Sequence, residues 1–81
     1  MDTVDTRIIQ ILSSELGITV DKINLTDHFV EDLNADSIDT MNIIHTINAQ
    51  LHVNIPPKEA INLKTVNHLI DLVNRKKGSG H

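Results

Sequence analysis

Ser37-Ile38-Asp39-Thr40-Met41-Asn42-Ile43-Ile44-His45-Thr46-Ile47-Asn48-Ala49-Gln50-Leu51 carries its apolar residues at the helical period, and on two separate faces. Ile43, Ile47 and Leu51 fall at i, i+4 and i+8, with Ile44 beside them. Ile38, Met41 and His45 fall at i, i+3 and i+7, rotated well away from that first stripe. A surface helix needs a single apolar face. Two faces leave two arrangements. The helix either packs inward with one stripe and meets a partner with the other, or it is central and buried on both sides.

The segments on either side repeat the period. Upstream, Val4, Ile8, Ile11, Leu12 and Leu16 share one helix face, with Asp2 or Thr3 placed to cap the start and Gly17 placed to end it. Downstream, Val66, Leu69, Ile70 and Val73 do the same after a candidate N-cap, Thr65. Arg75, Lys76 and Lys77 follow at the C-terminal end, where cations complement the helix macrodipole. Between the first two helices runs a long irregular stretch, Gly17 to Asp36. Ile18, Val20, Ile23, Leu25, Phe29 and Leu33 are spaced through it, as if to pin it to the core. In the later linker, Val53 to Leu63, Pro57 can open a short helix through Pro57-Lys58-Glu59-Ala60-Ile61. The expectation is an all-α, four-helix bundle with three long helices, one short helix and a long first loop. Residues 1–77 make the domain, and Gly78-Ser79-Gly80-His81 reads as an appended tail.

Composition narrows the chemistry. At 81 residues the chain holds one domain with one core. Phe29 is its one aromatic residue, and it has no Trp, Tyr or Cys, so the core must be aliphatic. Without cysteine there are no disulfides or thiolate metal sites, which fits a reducing, cytoplasmic setting. Any thiol chemistry has to arrive on a cofactor. The net charge of −4 argues against nucleic acid, whose binding draws on clustered Lys and Arg. Asp2 and Asp5 stand where a secretory leader needs basic residues, so none is expected. No uninterrupted apolar run exceeds two residues, as in Ile8-Ile9 and Ile43-Ile44, so no membrane insertion is expected.

The junction between loop and central helix reads Phe29-Val30-Glu31-Asp32-Leu33-Asn34-Ala35-Asp36-Ser37-Ile38-Asp39-Thr40-Met41. Ser37 lies at a helix start, where unpaired N–H groups and the positive dipole end favour a phosphate. Ser and Asp are also the usual capping residues there, so Ser37 or Asp36 could equally serve the helix alone. Asp27, Glu31, Asp32, Asp36 and Asp39 gather around the serine, and between Lys22 and Lys58 no Lys or Arg offsets them. Such a field steers basic partner surfaces, unless it is merely a solvated acidic loop. Asp32, Asn34 and Asp36 mimic the start of an EF-hand calcium loop. That motif needs Gly at its sixth position and Glu at its twelfth, where this chain has Ser37 and Ile43, so a metal is not expected. The histidines (His28, His45, His52, His68 and His81) show no metal-ligand spacing.

The junction strongly resembles the attachment site of acyl carrier proteins, in which an Asp-Ser-Leu tripeptide opens the second helix. The match runs without a gap, with Asn34 where relatives carry Gly and Ile38 where they carry Leu. The similarity extends over about residues 3–75, through Leu16-Gly17, Ile55-Pro56 and Thr65-Val66. The resemblance implies a non-catalytic carrier in fatty-acid or related lipid biosynthesis. Ser37 would bear 4′-phosphopantetheine, whose thiol holds acyl groups as thioesters, and Asp36 would assist the phosphopantetheinyl transferase. The further partners it implies are acyl-chain synthesis or acyltransferase enzymes, met by a monomer. Their docking surface would comprise Ile38, Asp39, Met41, His45, Glu31 and Asp32. In familiar fatty-acid carriers the second helix continues with glutamates that dock basic patches. Here Asn42, Asn48 and Gln50 stand in such places, and no formal charge follows Asp39 until Lys58. That difference favours a specialised carrier for an aminoacyl, polyketide or dedicated lipid pathway. The rival from another class is an unmodified interaction module with the carrier fold.

Overall fold

The structure, a computed structural model, describes residues 3–78. Among them four helices follow in order: α1 (Val4–Leu16), α2 (Ser37–Leu51), α3 (Pro57–Ala60) and α4 (Val66–Gly78). A short 3-10 turn, Val20–Lys22, interrupts the long first loop. Three long helices and one short one are as expected.

Each boundary has a local cause. The Thr6 N–H donates to Thr3 Oγ1 at 3.1 Å, so Thr3 caps α1, while Asp2 lies outside the described residues. Gly17 closes α1 at φ 67°, a left-handed conformation that costs glycine nothing, and its N–H donates to the Ser13 carbonyl at 2.9 Å. The His68 N–H donates to Thr65 Oγ1 at 3.2 Å, which makes Thr65 the cap of α4. Gly78, assigned by sequence to the tail, is the last residue of that helix; the rest of the tail lies outside the described residues. α3 stops at Ala60, one residue before the expected end. There the chain shifts to tighter i→i−3 bonds, from Asn62 N–H to Glu59 O and from Leu63 N–H to Ala60 O, both 3.2 Å.

The core joins Ile8 and Leu12 of α1, Ile43 and Ile47 of α2, and Val66, Leu69 and Val73 of α4. Each is at most 2% exposed, and burying one such side chain contributes about 1.5–3 kcal/mol. The second stripe of α2 points the other way. Ile38 is 70% and Met41 37% exposed, and His45 is exposed as well. Burial on both faces is therefore excluded.

The loop between α1 and α2 is pinned by fewer side chains than its spacing suggests. Ile23, Phe29 and Leu33 are buried and Ile18 is half-buried, but Val20 and Leu25 are exposed. Val20 opens the 3-10 turn, none of whose residues is buried. Leu25 is held through its backbone instead: its carbonyl accepts from the Asn67 N–H at 2.8 Å. Two more bonds tie the loop to the start of α4, Phe29 N–H to Lys64 O at 3.0 Å and Val66 N–H to Asp27 O at 3.1 Å. No helix among the described residues is long and apolar enough to cross a membrane.

Candidate functional site

The loop delivers Ser37 to the head of α2 through a series of tight turns. The Asn24 N–H donates to Asp27 Oδ2 at 2.9 Å and the His28 N–H to Asp32 Oδ2 at 2.8 Å. The Leu33 and Ala35 N–H groups return to the carbonyls of His28 (3.0 Å) and Phe29 (2.8 Å). Between them Asn34 sits at φ 57°. That left-handed conformation suits the Gly that the resemblance expects at this position, and Asn is among the residues that tolerate it.

The choice of cap at α2 is settled. Asp36 Oδ1 accepts from the Asp39 N–H at 2.8 Å, and Asp39 Oδ2 accepts from the Asp36 N–H at 3.2 Å, a reciprocal capping box. Thr40 Oγ1 adds a bond to the Asp36 carbonyl at 3.0 Å. Ser37, the first helical residue, is exposed, and its hydroxyl makes no hydrogen bond to the described residues. The cap is thus Asp36, and the serine hydroxyl is left over. Electrostatics does not make this spot a strong anion site. A helix N-terminus offers about half a positive charge, whereas Asp36 and Asp39 bring two carboxylates to the same turn. A phosphate here would be retained by a covalent bond to the hydroxyl rather than by attraction.

Beside Ser37 opens a pocket of about 270 Å³, walled by Phe29, Ala35, Met41, Ala60 and Leu63. Asp36, Ser37 and Thr40 are its polar edge, and Val30 and Ile61 complete it. A larger depression of about 550 Å³, lined by Arg7, Gln10, Glu15, Thr46 and Gln50, contains none of the residues around the serine and is polar. Only the smaller pocket of the two joins an unbonded hydroxyl to an apolar wall.

The structure brings Ser37, Asp36 and Met41 onto this pocket. Ile38, His45, Glu31 and Asp32 are exposed outside it, and Asp39 is half-buried in the capping box. Val30 and Ile61, 71% and 72% exposed, were not singled out by sequence, although Val30 lies within the junction itself. Asn48 also has a different place from the one its position in the helix suggests. It accepts from the Ile55 N–H at 2.9 Å and donates to the Ile55 carbonyl at 3.2 Å, fastening the linker that leads to α3. A glutamate there could accept but not donate.

Residues 6–73 match the family model described as the phosphopantetheine attachment site. The chain belongs to this family. Its members bear covalently attached 4′-phosphopantetheine, and the carrier domain is not itself the catalyst. In fold, the chain is similar to the apo doublet acyl carrier protein from prodigiosin biosynthesis, solved in solution, with a TM-score of 0.80 and 22% sequence identity. The alignment covers 90% of this chain and 35% of that one, so the likeness is to about a third of the longer protein. The residues present fit the cofactor: a solvent-facing serine hydroxyl with no competing bond is what a phosphodiester link requires.

Proposed function

We propose that the chain carries acyl intermediates as thioesters on 4′-phosphopantetheine attached to Ser37, in fatty-acid or related lipid biosynthesis. The observation that carries this is the division of labour at the head of α2. Asp36 accepts the Asp39 N–H and so caps the helix, which leaves the Ser37 hydroxyl unbonded and exposed beside an apolar pocket. The cofactor supplies the thiol that a chain without cysteine lacks. The protein's own residues do the rest. Asp36, held in place by its capping box, offers its carboxylate beside the hydroxyl to the modifying enzyme and its metal ion. Ile38, Asp39, Met41, His45, Glu31 and Asp32 form the surface that partner enzymes meet. Phe29, Met41, Ala60 and Leu63 can shelter a short apolar group, since each methylene removed from water gains about 0.8 kcal/mol. The protein acts as a cytoplasmic monomer and catalyses nothing itself.

The neutral outer face of α2 favours a second reading of the pathway, a specialised aminoacyl, polyketide or lipid route with its own partner enzymes. Both readings share one test. Incubation with coenzyme A, Mg²⁺ and a broad-specificity phosphopantetheinyl transferase should add one arm, read by intact mass. Ser37→Ala should abolish the gain. An adduct that survives in the alanine variant, or no adduct on the wild type, overturns the assignment and favours an unmodified interaction module.

A further inference from the structure

Two exposed apolar side chains, Val30 from the loop and Ile61 from the end of α3, flank the pocket beside Ser37. Apolar groups left in water around a pocket are what an interaction site looks like before its partner arrives. The charged residues that neighbour these walls in the chain differ in sign between the two segments. On the loop side stand Glu31 and Asp32, both exposed. On the α3 side stand Lys58 and Lys64, also exposed. Lys58 is three residues before Ile61, a spacing that puts the two on one side of the turn. Lys64 follows Leu63, a pocket wall, and its carbonyl holds the Phe29 N–H.

Asp32 Oδ2 accepts the His28 N–H, but the side chains of Glu31, Lys58 and Lys64 make no bond to the described residues. The ion pairs among the described residues join Arg75 to Asp71 and Lys76 to Glu59, and none of Glu31, Lys58 or Lys64 takes part. Glu59, the acid next to Lys58, is committed to Lys76 at 2.9 Å and does not neutralise its neighbour. Between the two sides α2 is uncharged beyond Asp39. Near Lys64 lie His68, whose Nδ1 accepts from the Lys64 N–H at 3.4 Å, and His28, bridged to Thr65.

We propose that the Ser37 face is a polarised docking surface, matched to a partner protein with basic side chains opposite Glu31 and Asp32, an apolar projection between Val30 and Ile61, and carboxylates opposite Lys58 and Lys64. The inference rests on the carrier reading and specifies its partner. Range decides how the two signs act. The net charge of −4 attracts basic surfaces from a distance, but at physiological salt each exposed charge is screened beyond about 8 Å. At contact, the local charges outweigh the net charge. A uniformly basic patch, suited to carriers with a glutamate-rich second helix, meets two unpaired lysines here and is selected against.

The test uses a fatty-acid ketosynthase with an all-basic carrier-docking patch as the probe, and this protein bearing its arm. The double variant K58E/K64E should bind that probe at least about tenfold more tightly than wild type, and E31K more weakly. When basic residues of the probe's patch are reversed to Glu one at a time, at least one reversed probe should prefer wild type over K58E/K64E. Equal or weaker binding by K58E/K64E, or no reversed probe with that preference, overturns the proposal. Melting curves confirm that these surface variants fold. Failure of the transferase to arm Ser37 would instead sink the carrier reading, so the two failures are told apart by mass.

Discussion

Along α2, Ile43, Ile47 and Leu51 are sealed in the core, while Ile38, Met41 and His45 on the opposite face stand in or near solvent. Both sets obey the same helical period and both are largely apolar, so hydrophobicity alone does not separate them. The neighbours do. The inner stripe faces α1, and apolar residues of α4 complete the same core. The outer stripe has the pocket edge and water. On the proposed reading one backbone serves stability with one face and recognition with the other, and substitutions on the two faces should fail in different assays.

The largest expected effect is on the inner face. Ile47→Ala should cost about 2–5 kcal/mol, by lost burial and the cavity left behind. A small domain has about 5–15 kcal/mol in total, so the melting temperature should fall by about ten degrees or more. A thermal melt read by circular dichroism checks this before any partner is added. A loss no greater than that of Met41→Ala would erase the distinction between the faces.

Asn48 sharpens the boundary. By sequence it sits where relatives carry docking acids, but its amide both accepts from and donates to Ile55. Asn48→Asp keeps the shape, removes the donor and sets a carboxylate against the Ile55 carbonyl. Leaving that group unsatisfied should cost about 1–3 kcal/mol in urea unfolding, with faster hydrogen exchange at the Ile55 amide. Unchanged stability together with tighter partner binding would move Asn48 to the recognition face.

What could be read in advance follows from how local each cause is. Thr3, Gly17 and Thr65 act within a turn of themselves, and Ile43, Ile47 and Leu51 follow from period alone. The junction around Ser37 was legible because its residues are contiguous. The ties from Leu25, Asp27 and Phe29 to the segment 64–67 were hidden, since backbone bonds leave no mark on residue type. For the same reason Leu25 reads as a core residue although its carbonyl, not its side chain, does the anchoring. Ile61 escaped notice because its role depends on α3 lying across the pocket from Val30, a juxtaposition of distant segments.

The smallest effect on stability, and the most telling about function, belongs to Met41. It lies three residues from Ile38 and one helical turn from Ser37, and it walls the pocket while remaining 37% exposed. Fully burying a side chain of its size is worth about 1.5–3 kcal/mol, so truncating a partly exposed one should cost about 1 kcal/mol or less. Met41→Ala should melt within a few degrees of wild type. On the proposed docking surface an enzyme acting at Ser37 meets this residue, so the same variant should be armed more slowly by the transferase and should transfer its acyl group less efficiently. The paired measurement is a melting curve and kcat/KM for arm attachment on one preparation. A large fall in melting temperature with unchanged kcat/KM would mean that Met41 belongs to the core and that recognition lies elsewhere on the Ser37 face.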